Sequence, residues 1–278
     1  MELGIGSIAF IYTAIKKKQF SNSIDLLLHS IEDTLIFTEK NGLRVCEIIL
    51  DPPEILLSER KREIIDICRN FPSIKKQFHA PYSDLSLCTH NPWIVQATID
   101  CYDQSAKFCK QINAQVLTIH PGDAKFLHHY YNGIKNRLID SVNILSERIK
   151  MHNPALITCL ENMPKMAGLF LEYKEITNFF SEVKCNDIYF TWDIGHSWSC
   201  DDNIERLWGE INKKIKNIHL VDSLGENSDI HPALGEGNVN FKQVFELTEN
   251  YDYDGSMIIE LHKHEDLPKS IDYVKKFF

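Results

Sequence analysis

Several features that would narrow the function at once are missing from this 278-residue chain. No run of about 18 consecutive apolar residues occurs, so no transmembrane helix and no membrane partner are expected. The N-terminal MELGIGSIAFIYTAIKKKQF carries its charge after the apolar stretch and has no small-residue cleavage site, so no signal peptide is expected. The eight cysteines, at 46, 68, 88, 101, 109, 159, 185 and 200, never form a C-x-x-C pair. That scatter fits reduced, mostly buried thiols in a cytoplasmic protein and argues against thiolate zinc sites. Positive charge is also scarce. Thirty Lys and Arg face 39 Asp and Glu, and a net charge of −9 is not the footprint of a general nucleic-acid binder. Bound cations can still invert the sign locally.

What is present is a regular alternation. Short runs rich in Ile, Val, Phe and Thr lie at 3–10, 43–50, 74–80, 114–120, 155–161, 187–193, 215–221 and 256–262. Most are continuously apolar, as strands covered on both faces should be. Between them lie helical patterns. One, at 24–42, stops at Gly42, and another begins with Asn91 as N-cap and Pro92 in the first turn. Others fall near 134–151, 172–183, 202–213, 240–250 and 267–277, with a shorter one near 58–69. Eight strand–helix units, unbroken by a linker, predict an α/β chain folded as a single (β/α)8 TIM barrel over residues 1–278. An open doubly wound sheet lacks its Gly-x-Gly-x-x-Gly after the first strand.

In such a barrel, chemistry sits at the C-terminal strand ends. The third strand ends in His79, the fourth in His120, the fifth in Glu161, and the sixth in Asp193 with His196 one turn on. The seventh carries His219, its loop carries Asp229 and His231, and the eighth carries Glu260. One such residue is as often structural as functional. Nine carboxylates and imidazoles at six successive strand ends are hard to explain as core, because burying them unpaired costs several kcal/mol each. Bound metal offsets that cost. Nine ligands exceed one ion and suit two or three divalent cations; the donor types suit zinc first, with manganese or iron as alternatives.

The motifs HAPY (79–82), HPG (120–122), LEN (160–162), DIGH (193–196), IHLVD (218–222) and D-x-H-x-x-LGEG (229–237) resemble, in order and spacing, those of the endonuclease IV family. That family belongs to the xylose-isomerase-like barrels, which also include sugar-phosphate isomerases and epimerases. The resemblance covers roughly residues 43–262. It implies that His79 and His120 share one metal with bridging Glu161, that Glu161, Asp193, His219 and Glu260 hold a second, and that His196, Asp229 and His231 hold a third. It further implies a phosphoester hydrolase in which a metal-bound hydroxide attacks a phosphodiester, at abasic sites in DNA in the family's pattern. Glu161, Asp193 and Glu260 would then be catalytic. Tyr82, Trp198 and Lys263 are candidate substrate contacts, with packing against the barrel the other reading of Trp198, and Asn162 and Asp222 are candidate orienting groups for the ligands.

Two departures set this chain apart from that family. The loop after the second strand reads DPPEILLSER, acidic and proline-rich where the family has an arginine-bearing wedge, and Arg60 and Arg62 come late. Ser83 follows Tyr82 where an apolar wedge residue is expected, and the rim cations are few: Lys125, Lys165 and Lys263. The alternative reading is a metal-dependent sugar-phosphate isomerase or epimerase, with Glu161 and Glu260 passing a proton. Glu47, in VCEI, resembles a glutamate of that branch. A non-catalytic metal or sugar-phosphate binding protein is the third reading. The partner in each case is a phosphorylated substrate, abasic DNA or a sugar phosphate, and no protein partner is implied. His29, His90, His128, His129, His152, His262 and His264 read mostly as surface residues, with His262 and His264 within reach of the rim where Glu260 already serves the strand end, Lys16–Lys18 as a solvated run, and Gly235 and Gly237 as turn formers with positive φ.

Overall fold

The structure is a computed structural model that describes residues 1–17, 20–123, 131–200, 202–225 and 229–277. Lys18, Lys125, His128 and His129 lie outside the described residues. Eight strands run in chain order: β1 (Glu2–Gly6), β2 (Val45–Ile49), β3 (Lys75–His79), β4 (Val116–Ile119), β5 (Ile157–Glu161), β6 (Ile188–Asp193), β7 (Ile215–Leu220) and β8 (Ser256–Ile259). Each is parallel to its neighbours and β8 closes on β1, so the sheet is a closed (β/α)8 barrel. The helices are α1 (Ile8–Lys17), α2 (Ser23–Lys40), α3 (Glu54–Leu57), α4 (Lys61–Arg69), α5 (Pro92–Ile112), α6 (Tyr131–His152), α7 (Tyr173–Glu182), α8 (Ile194–Ser199), α9 (Ile204–Ile211), α10 (Phe241–Asn250) and α11 (Leu267–Val274).

Helix boundaries follow local chemistry. The Asn91 side chain accepts from the Trp93 and Ile94 amides, which satisfies donors that the first turn of α5 would otherwise leave open. Asn22 does the same for α2, and Gly42, just past its end, takes φ +67° as a terminating residue should. One element differs from expectation. The first strand stops at Gly6, and Ile8–Lys17 is helical rather than a continuation of it. Its β-branched, aromatic run reads locally as strand, but Ser7 ends the strand: its Oγ accepts from the Ile49 amide and its carbonyl from the Phe10 and Ile11 amides.

Strand alternation divides the side chains into two sets. Outward, Ile5, Ile48, Phe78, Leu117, Leu160, Phe190, Trp192, Ile218 and Met257 are fully buried beneath the helices. Inward, the set is largely polar: Glu47, Gln77, Thr118, Thr191, Asn217 and Ser256 form one level, and the strand-end carboxylates and imidazoles lie above it. Strand β1 contributes glycine to this interior. A Cβ on Gly4 would sit 2.4 Å from the Val45 carbonyl oxygen, a backbone atom that cannot step aside. Gly4→Ala is therefore expected to destabilise the fold by about 1–3 kcal/mol, seen as a lower midpoint in urea with little change in slope.

Candidate metal centre

The nine residues expected at the strand ends come together, and Glu161 is their hub. Its Oε2 lies 3.2 Å from His79 Nε2 and 3.1 Å from His120 Nε2, and those two ring nitrogens are 3.1 Å apart. Its Oε1 lies 3.0 Å from His219 Nδ1, which also has Glu260 Oε2 at 3.1 Å and Asp193 Oδ2 at 3.8 Å. A third group forms at the rim, where Asp229 Oδ1 sits 3.3 Å from both His196 Nε2 and His231 Nε2. The ligand atoms within the trios His79–His120–Glu161, Glu161–Asp193–His219 and His196–Asp229–His231 each fall within 4.8 Å of one another.

The imidazoles are aimed by hydrogen bonds on their far nitrogens. His79 Nδ1 donates to the Ala80 carbonyl at 2.8 Å, and His196 Nδ1 to the Asn162 carbonyl at 2.7 Å, which leaves each Nε2 free for the site. Asn162 also brackets Asp193, accepting from its amide at 2.7 Å and donating to its carbonyl at 2.9 Å. Asp222 acts on the loop. Its carboxylate accepts from the amides of Ser223, Gly235, Gly237 and Val239 at 2.8–3.1 Å, and so anchors the turn that carries Asp229 and His231. Gly235 takes φ +87°, as expected. Gly237 is required for a different reason: a Cβ there would lie 2.3 Å from Asp222 Oδ1.

Electrostatics make the cluster a candidate cation site. Burial alone raises the Glu161 carboxyl, but His219 and His120 overcome that and hold it well below the usual range. Burial lowers His219, yet Glu161, Glu47 and Glu260 raise it well above the ordinary imidazole value. The same contest brings His196 up to about 10, with Asp193 and Asp229 opposing burial. Burial pushes Asp193 to about 6. His231 Nδ1 is buried and has no hydrogen-bond partner. Converging carboxylates and ring nitrogens of this kind are satisfied either by protons or by divalent cations, and an all-N/O donor set fits the borderline and hard first-row ions. The residues present therefore fit a metal centre.

The cluster floors a cavity of about 250 Å³. Its walls include Ile8, Tyr12, Tyr82, Met163, Pro164 and Met166, and none of its described lining residues is Lys or Arg. Tyr82 lies over His120, with ring centroids 5.1 Å apart, and meets His79 edge-on. Trp198 is placed elsewhere: it packs on the core and borders a separate cavity with Asp202 and Gln243, because α8 turns it away from the barrel mouth. Lys263 is exposed and does not line the metal cavity. Arg60 pairs with Asp25 and Glu63, and Arg62 with Glu59, so neither faces the site.

Some members of the site were not among the expected ligands. His262, grouped with the surface histidines though within reach of the rim, lines the cavity and stacks on His231 with centroids 4.3 Å apart and planes 11° from parallel. Burial and the neighbouring His231 push it down to about 4. Tyr12 packs on His262 at 4.7 Å from the unexpected helix α1. Nothing in the one-dimensional pattern singles out Tyr12. For His262 the signal was its position two residues after Glu260, on the same side of the extended chain.

A family model described as xylose isomerase-like TIM barrel matches residues 36–277. An uncharacterised protein of Methanocaldococcus jannaschii is 24% identical over 261 residues, which is 92% of this chain and 87% of that one. A probable endonuclease 4 of Aquifex aeolicus is 27% identical over 200 residues, 66% of this chain and 68% of that one. Among solved structures, a D-tagatose 3-epimerase-like protein superposes with a TM-score of 0.81 at 22% identity, covering 100% of this chain and 97% of that one, a likeness of fold.

Because ions must displace protons from His196 and His219, metal affinity is expected to rise with pH, with net proton release measurable by calorimetry in buffers of different ionisation enthalpy. The metal-free chain should behave oppositely. A histidine raised from 6.5 to about 10 contributes stability that is complete below 6.5 and lost as pH rises through 10, so the metal-free melting temperature should fall across that window. Asp222→Ala is expected to weaken the His196–Asp229–His231 ion by about 10–100-fold in a chelator competition, with the ions on Glu161 unaffected.

Proposed function

We propose that this chain, which belongs to the xylose isomerase-like TIM barrel family, is a multi-metal phosphoester hydrolase acting on a phosphate ester of a sugar unit, with an abasic-site phosphodiester as the leading candidate substrate. The observation that carries this reading is the division of labour at Glu161: one carboxylate oxygen serves His79 and His120, the other serves the His219 edge, and a third trio stands at the rim. A single-ion sugar enzyme needs only Glu161, Asp193, His219 and Glu260. It leaves His79, His120, His196, Asp229 and His231 without work.

The residues that would hold cations are the three trios together with Glu260. Bound divalent ions would supply a water ionised at neutral pH and positive charge for the attacking and leaving oxygens of an in-line displacement. Zinc suits the imidazole-rich donor set, with manganese and iron as alternatives. The chain's own groups do the rest. Tyr82 and Tyr12 wall the cavity and restrict the water that reaches it. Asp229 and His231 form a clamp that Asp222 keeps in register. Since no described lining residue is Lys or Arg, an anionic ester would be neutralised by the ions alone.

A second reading has its own observation. Glu161 and Glu260, from β5 and β8, approach the same His219 nitrogen at 3.0 and 3.1 Å, a pairing that could pass a proton across a sugar carbon. The 250 Å³ cavity is also of monosaccharide size. The likeness to a probable endonuclease 4 supports the hydrolase reading.

Metal-reconstituted protein should incise an abasic-site duplex, and His79→Ala and His231→Ala should each reduce that rate by at least about 100-fold while lowering the ion count. Deuterium entering a ketose or ketose phosphate in heavy water, with no ester cleaved at full metal load, would decide for the isomerase or epimerase instead.

A further inference from the structure

The polar level beneath the metal cluster centres on Glu47, whose side chain is 1% exposed. Both of its oxygens are engaged. Oε1 lies 2.9 Å from His219 Nε2, and Oε2 accepts from Gln77 Nε2 at 2.6 Å and Asn217 Nδ2 at 3.0 Å. Gln77 Nε2 also reaches Asn217 Oδ1 at 3.0 Å, and the Ser256 hydroxyl lies 2.8 Å from both Gln77 Oε1 and Asn217 Oδ1. These four side chains close a ring across β2, β3, β7 and β8. Its connectivity leaves little freedom: each amide must turn its NH2 toward the carboxylate, which can only accept.

The consequence falls on His219. Glu47 can only accept, so it holds a proton on Nε2, although Asn217 Nδ2 also lies 3.2 Å from that nitrogen; an ion bound among the carboxylates on the other edge would take the place of the Nδ1 proton while Nε2 keeps its own. The opposite nitrogen, Nδ1, is then aimed at Glu161 and Glu260. Glu47, His219 and Glu260 come close enough to share an ion themselves. That arrangement would need Nε2 as the ligand, whereas Glu260 stands at the Nδ1 edge of the ring, 3.1 Å away.

We propose that Glu47 is a positioning residue for the metal centre: held by Gln77 and Asn217, it fixes the tautomer and plane of His219 so that Nδ1 is the ligand of the ion bound with Glu161, Asp193 and Glu260. Glu47 is not itself a ligand. The proposal requires only that the site binds a metal, and it stands whether the loaded centre cleaves an ester or moves a proton.

The test is metal binding on the full chain, by competition of Zn2+ against a chromophoric chelator and by the visible spectrum of the Co2+ form. Glu47→Gln can offer an N–H to His219 Nε2, which reverses the tautomer. One bound ion should then weaken by about 10–100-fold and one set of Co2+ bands should shift, while the remaining ions keep wild-type affinity. Gln77→Leu removes a donor to Glu47 without touching His219. It should weaken the same ion by a smaller factor, and it serves as the test if Glu47→Gln does not fold. Unchanged affinities and spectra in the folded variants would overturn the proposal. So would equal weakening of every ion, which would mark a merely structural role. Loss of one ion from the count in Glu47→Gln, with normal affinity in Gln77→Leu, would make Glu47 a ligand and overturn it as well.

Discussion

A carboxylate shut inside a barrel must be met by positive charge, and Glu161 is where this molecule meets that demand. The side chain is 3% exposed and has His79, His120 and His219 within 3.2 Å. Taking such a charge out of water costs several kcal/mol, and a partial set of partners would leave most of that cost standing. Protons on the imidazoles can meet it, and so can cations. The site is thus tied to its surroundings: whatever compensates Glu161 also sets how closely the strand ends of β3, β4, β5 and β7 can approach.

The supports around it are of two kinds. On one side, rigid strands carry His79, Glu161, Asp193 and His219 at adjoining positions, with Asp193 opposite His219 in the β6–β7 register. On the other, the loop after β7 has no strand to hold it and is gathered chiefly by Asp222, which takes four backbone amides, with the Leu234 amide on the Ser270 hydroxyl and the Asn238 amide on the Ser223 carbonyl beside it. Gly237 belongs to the same device, since only a residue without Cβ lets the chain pass so near that carboxylate. The rim clamp is as firm as this junction, whereas the inner ligands are as firm as the barrel.

The barrel was legible because its signals are local and repeated. Eight apolar runs, the Asn91–Pro92 start of α5 and the Gly42 stop after α2 each express a preference that tertiary packing does not oppose. The cluster of strand-end carboxylates and imidazoles was legible because ionisable residues interrupt apolar runs at the same relative place. What escaped depends on contacts distant in sequence. The residues Ile8–Phe10 read as a continuation of the first strand until Ser7 bonds across to β2. Tyr12 and His262 meet over His231 from opposite ends of the chain. Gln77, Asn217 and Ser256 look like ordinary polar residues in their strands, and only closure of the barrel joins them under His219. Trp198, beside DIGH, could be read either as packing or as a substrate contact, and α8 carries it to another face.

Among the candidate ligands, Asp229 alone is substantially open to solvent, at 42% exposure, while Asp193 and His219 are at 1% or less. With metal bound, the three candidate positions would therefore differ in exchange kinetics as well as in chemistry. A cation held by the rim trio would be able to exchange Asp229 for water, whereas one held by Glu161, Asp193 and His219 would sit among side chains at 3% exposure or less. Occupancy under scarce metal would be graded from the outside inward, with the inner pair as the lasting form and the rim ion as the one that follows supply.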